Sequence, residues 1–172
     1  MRKPLFAAAL APFGFSRCVG IELLRGLYQA AVATRALLHG DTTAGDAVAG
    51  ATAADALADG EAVDAERTRA LVASVAKRAA PIELRCDSFL SADNAWWIDA
   101  DIVYASSICL TDDIMHDLAA RMRRVRPGTL VITLKMLPGG AEPEFEVVHS
   151  GWYRMSWGRT GVWILRRTDF VS

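Results

Sequence analysis

The chain is constrained most by a change of rhythm along its length. Apolar strand-like runs at 17–22, 82–86, 101–106 and 129–134 alternate with helical stretches at 3–11, 23–39, 63–80 and from Thr111 onward. Strands joined through helices must run parallel, because only a long crossover returns the chain to the same end of a sheet. The ending breaks the pattern: runs at 144–149 and 161–167 are separated only by residues 150–160. They read as a hairpin, so the sheet should be mostly parallel and close with antiparallel strands. This is an α/β fold.

Local signals set the element ends. Pro4 is tolerated in a first helical turn. Leu24, Leu27, Tyr28, Ala31, Leu37 and Leu38 recur at helical spacing, as do Leu71, Val72, Val75 and Ala79. Pro81 breaks the helix before the 82–86 strand. Thr111 can cap the next helix, with Asp112 and Asp113 in its first turn to complement the dipole. Pro127-Gly128 ends that helix. The runs at 101–106 and 129–134 are apolar enough to be buried strands.

Residues 40–60 are almost entirely Ala, Gly, Asp and Thr and contain no basic residue. Such a stretch buries too little apolar surface to offset its ordering entropy, so it is expected to be a mobile insertion. A length of 172 residues fits one domain around a proper core, with that insertion inside it.

The net charge of −1 gives no nucleic-acid-binding signal over the chain as a whole. Basic residues cluster at 121–126 and at Arg166-Arg167, where solvated element ends are the expectation. Cys18, Cys86 and Cys109 are odd in number and lack metal spacing, which predicts buried free thiols in a reducing compartment. His39, His116 and His149 are scattered, so no metal site is expected. The opening MRKPLFAAALAPFGF has a basic start and an apolar run too short to span a membrane. An amphipathic helix in an intracellular protein is the expectation.

One carboxylate stands out. The run CVGIELL at 18–24 delivers Glu22 at the end of its strand. In nucleotide-type α/β folds an acid at that place takes the ribose hydroxyls of an adenosine-containing cofactor. The charge-assisted bonds so formed are worth about 1.5–3 kcal/mol each.

From Phe6 onward the chain resembles class I S-adenosylmethionine-dependent methyltransferases. Within them it is most similar to the catalytic domain of the non-SET histone lysine methyltransferases of the telomeric-silencing type. The resemblance runs through VGIELL at 19–24, CDSFLSAD at 86–93, DADIVYASSICLTDDIMHDL at 99–118, RPGTLVITL at 126–134 and MSWG at 155–158. Their order and spacing carry it. It implies a Rossmann-like three-layer methyltransferase sandwich, with S-adenosyl-L-methionine as cofactor and a protein or small molecule as methyl acceptor. It implies that Glu22 holds the cofactor ribose. Asp87 or Ser88 takes the acidic position beside the adenine, and Phe89 supplies the ring contact.

Ser106-Ser107 match the place where the family carries an Asn facing the reacting centre, and a hydroxyl there loses the two-ended amide. Histone substrates are therefore not implied. Trp152, Tyr153 and Trp157 either wall the acceptor pocket or pack the sheet edge. No side chain stands out as a general base. The family also opens with a strand and a Gly-rich turn that lets backbone approach the cofactor. Residues 1–5 do not supply them, and a sheet with its first strand absent would leave a costly gap between the strands at 18–22 and 101–106. The expectation is therefore an N-terminally truncated methyltransferase domain, the alternative being that something else fills the slot. A non-catalytic cofactor-binding or interaction protein of the same fold is the alternative reading. A nicotinamide-dependent oxidoreductase would share the ribose carboxylate but continue with a parallel strand instead of the hairpin.

Overall fold

The computed structural model describes residues 2–12, 14–39, 74, 79–91, 97–139, 143–155 and 157–170. The 40–60 insertion, nearly all of the 63–80 helix, Trp96 and Ser156 lie outside the described residues. The chain divides into two compact units, Met1–Phe89 and Leu90–Ser172.

The first unit contains α1 (Arg2–Leu10), β1 (Cys18–Ile21), α2 (Arg25–His39) and β2 (Ile82–Arg85). β1 and β2 pair in parallel, from Cys18 opposite Ile82 to Ile21 opposite Arg85. The ladder runs one bond further at each end: Cys18 N–H donates to the Pro81 carbonyl at 2.8 Å and Glu22 N–H to the Arg85 carbonyl at 3.0 Å. The interior is a cluster of Ala9, Cys18, Ala80 and Ile82, with Leu5, Phe6, Phe15, Leu38 and Leu84 packed against it. Gly20 lies where α1 crosses β1. A Cβ at that position would stand 2.5 Å from Leu5 Cδ2, so the Leu5 side chain, which packs in the space the glycine leaves, would have to shift.

α2 begins at Arg25, later than the apolar spacing suggested, and Leu23, Leu24 and Leu27 are exposed. The cause is local. The Glu22 carboxylate accepts the Leu24 N–H at 3.0 Å, holding residues 22–24 as a turn ahead of the helix. Ala31 and Leu38, further along, are the residues of that face that reach the interior.

The second unit contains β3 (Ile102–Ala105), a 3-10 turn (Ser107–Cys109), α3 (Asp112–Met122), β4 (Leu130–Thr133), β5 (Phe145–Met155) and β6 (Gly158–Arg167). Its sheet has the order β3-β4-β6-β5. β3 and β4 are parallel, and β6 runs antiparallel to both β4 and β5. The parallel pairs and the antiparallel close agree with the sequence reading of an α/β fold that is mostly parallel and ends in a hairpin. Among the described residues these strands lie in two sheets, of two and four strands. Val131, Thr133 and Leu165 are fully buried, and α3 turns Met115, Leu118, Ala119 and Met122 inward at helical spacing.

Three expectations need correction. β3 is not a buried strand: Ile102 is exposed and its neighbours half-buried, because β3 is an edge strand with β4 as its one partner among the described residues. Thr111 occupies the N-cap of α3 with extended backbone, but its side chain makes no capping bond. Its carbonyl instead accepts the Met115 N–H at 2.9 Å. The closing hairpin is much longer than read. Residues 150–155 and 158–160 are strand, paired continuously from Ser150 opposite Trp163 to Met155 opposite Gly158. The chain reverses near Gly158, at φ +131°, where a Cβ would be strained.

Candidate functional site

Four of the residues singled out from sequence lie in the first unit. Glu22 follows β1 directly, and Asp87, Ser88 and Phe89 follow β2. Because the two strands are parallel and in register, these residues leave the same, carboxyl, end of the pair. The bond from Glu22 N–H to the Arg85 carbonyl fixes that proximity.

Glu22 is half-buried, and its Oε1 takes the Leu24 N–H. Oε2 has no hydrogen-bond partner among the described residues, so the carboxylate keeps acceptor capacity. Asp87 is exposed and its Oδ1 accepts the Ser88 N–H at 2.6 Å. Phe89 is half-buried rather than part of the core. A carboxylate with acceptor capacity and a partly open aromatic ring, both following the carboxyl ends of one strand pair, are the group types that suit a ligand carrying hydroxyls and a flat apolar face.

Ser106 and Ser107 lie in the second unit, after β3. Ser106 is exposed and precedes the 3-10 turn. Ser107 is 0% exposed. Its Oγ accepts the N–H groups of Leu134 at 2.9 Å and Lys135 at 3.0 Å, tying the ends of β3 and β4 together. The place matched to the family's Asn is thus shared between an open hydroxyl and one engaged inside the fold. This brace was not legible in the sequence, where Ser107 and its partners are far apart.

The remaining expectations resolve differently from one another. Cys18 is buried, and burial pushes its thiol up from the ordinary range. Cys86 and Cys109 are exposed, against the reading of three buried thiols: Cys86 directly follows β2 and Cys109 is the last residue of the 3-10 turn. Arg121 donates to the carbonyls of Leu90 and Ser91, and Arg167 to those of Arg123, Glu144, Thr168 and Phe170. Both therefore serve the fold instead of being solvated ends. Trp152, Tyr153 and Trp157 do not pack the sheet edge; all three are exposed. Among the described residues no three or more His, Cys, Asp and Glu side chains gather as metal ligands, and no helix is long and apolar enough to cross a membrane.

No family model matches the chain. No curated protein matches it either. Among solved structures, it is similar to one described as a "putative O-methyltransferase" from Klebsiella pneumoniae, with 18% sequence identity and a TM-score of 0.42. That likeness covers 90% of this chain and 74% of the other.

Proposed function

We propose that the chain is an S-adenosylmethionine-dependent methyltransferase whose adenosyl-binding end is built from Glu22, Asp87, Ser88 and Phe89. One observation carries this reading. A half-buried strand-end carboxylate with an open oxygen stands beside an acid-aromatic loop at the same end of a parallel strand pair.

Glu22 would accept from the ribose hydroxyls through Oε2 while Oε1 keeps its bond to the Leu24 N–H. Asp87 or Ser88 would face the adenine amino group, and Phe89 would pack on the purine. Ser106 offers a hydroxyl at the end of β3, with Ser107 holding that end in place. The antiparallel closing strands support the methyltransferase variant of the α/β sheet over a nicotinamide-dependent oxidoreductase. When bound, the cofactor supplies a methyl group activated on a sulfonium. What the protein contributes is chiefly orientation, since no general base is evident. The acceptor class is a protein or a small molecule.

The non-catalytic reading is favoured by the Glu22 to Leu24 turn bond, which gives the carboxylate a structural use of its own. Titration calorimetry with S-adenosylhomocysteine and with adenosine tests the proposal. Both should bind saturably, and Glu22→Ala should weaken each by at least about tenfold, the equivalent of one charge-assisted bond. Binding that ignores the substitution, or no binding of either compound, overturns it. Binding without methyl transfer to any offered protein or small molecule would favour the non-catalytic reading.

A further inference from the structure

The closing hairpin continues past the strand that supports it. β4 meets β6 only between Trp163 and Arg166, whereas β5 stays paired with β6 as far as Gly158. Residues 151–155 and 158–162 therefore form a two-stranded arm beyond the end of β4, buried at Thr160 and open along β5 from Trp152 to Arg154. Two-stranded ribbons on their own are marginal in water. This one also displays bare aromatic surface: Trp152 is 68% exposed, Trp157 61% and Tyr153 43%.

The register sorts the arm into two faces. One carries Ser150 opposite Trp163, Trp152 opposite Gly161, and Arg154 opposite Arg159. The other carries His149 and Tyr153, whose side chains bond to each other across Gly151 at 2.5 Å. On the first face, two like charges stand directly opposite each other, an arrangement that destabilises a strand pair. Neither arginine has an ion-pair partner among the described residues. Arg166, nearer the sheet, is matched to Glu146. Residues 147–168 contain four arginines and no Asp or Glu, in a chain of net charge −1. Arg154 and Arg159 are the two of the four that lie on the arm.

We propose that this face of the arm binds single-stranded nucleic acid, with a base stacked on Trp152 and neighbouring phosphates held by Arg154 and Arg159. Trp152 and Arg154 are two residues apart on one strand, so they project from points about 7 Å apart along the ribbon. A ring and a guanidinium at that separation serve a base and an adjacent phosphate of one extended strand. Stacking tolerates any base, and the planar arginine fork matches a phosphate in a way that a lone ammonium does not. A duplex is the poorer fit, because gripping it draws on many phosphate contacts and the arm offers two free arginines. An anionic membrane would call for aromatic side chains gathered at the turn. Here Trp157 alone stands at the turn, and Trp152 shares a face with both arginines instead.

The test is a fluorescence anisotropy titration of the full 172-residue chain against a labelled single strand of about twelve nucleotides, within the usual site size. Saturable binding is expected, weakening about sevenfold between 50 and 200 mM salt for two neutralised phosphates. Trp152→Ala should weaken binding about tenfold. The double variant Arg154→Gln, Arg159→Gln should weaken it and flatten the salt dependence. Tyr153→Ala, on the opposite face, should leave affinity unchanged, and circular dichroism establishes that each variant is folded. Absence of saturable binding overturns the proposal. So does binding indifferent to both first-face variants, or phosphatidylserine vesicles bound in place of the oligonucleotide.

Discussion

Ser107 is where sequence and structure part most clearly. The sequence offered it as a hydroxyl facing a ligand, and the structure turns it inward to accept two backbone N–H groups at 0% exposure. An unsatisfied buried donor costs about 1–3 kcal/mol. Ser107→Ala is therefore expected to destabilise the protein by about 2–3 kcal/mol, read as a lower urea midpoint at unchanged slope. Ser106→Ala, at an exposed position with no structural bond of this kind, should leave the midpoint unmoved. Cys18 gives a second prediction at this scale. Burial raises its thiol pKa in the folded state, so the fold favours the neutral form. That stability is present in full below the unfolded thiol's pKa, near 8.5, and is lost as pH rises through the higher folded value. Alkaline titration of stability should show the loss, and Cys18→Ala should remove it. A thiol reagent at about pH 8 should label Cys86 and Cys109 well before Cys18, since the reactive species is the thiolate.

At the scale of elements, the strand positions were legible because short apolar runs bounded by Pro, Gly and polar residues leave few alternatives. β1, β2, β3 and β4 each fall inside the run that predicted them. Their environment was less legible. Burial of β3 depends on its place in the sheet order, which no run of residues encodes. The start of α2 depends on one carboxylate choosing a backbone N–H. In the candidate site, Glu22 and the Asp87-Ser88-Phe89 loop could be found because parallel strands bring their carboxyl ends together. The division of labour between Ser106 and Ser107 could not, because it depends on which hydroxyl turns toward β4. The hairpin was read too short because Trp152, Tyr153 and Trp157 suggest a loop cluster as readily as a ribbon. Gly161 tests the ribbon directly. The indole ring of Trp163 lies over it, and a Cβ would overlap Cη2 and Cζ3. Gly161→Ala should displace that ring at a cost of about 1–3 kcal/mol. A lowered melting temperature with shifted tryptophan emission is the expected result, and unchanged emission would mean the ring does not rest there.

Across the whole molecule the two units differ in what they bury. Among the described residues, the first buries Ala9, Cys18, Ala31, Ala80 and Ile82, mostly small side chains. The second buries Trp97, Met115, Leu118, Ala119 and Met122 of α3, and Val125, Val131, Leu134, Leu137, Phe145 and Leu165. A fully buried large apolar side chain contributes about 1.5–3 kcal/mol, and an alanine much less. Local stability should therefore be uneven, with the weaker unit carrying the proposed adenosyl-binding end. Hydrogen exchange makes this measurable. The amides of Val131, Ile132 and Leu165 should exchange slowest, near the rate set by global unfolding, and those of β1 and β2 should exchange sooner through local opening. A ligand that binds only the folded form raises protection where it binds, by an amount set by its concentration relative to Kd. S-adenosylhomocysteine should then slow exchange from Cys18 to Ile21 and from Ile82 to Arg85 while leaving β4 and β6 nearly unchanged. Equal protection of both units without ligand would contradict the uneven interior. Protection gained only in the second unit would move the adenosyl site away from Glu22.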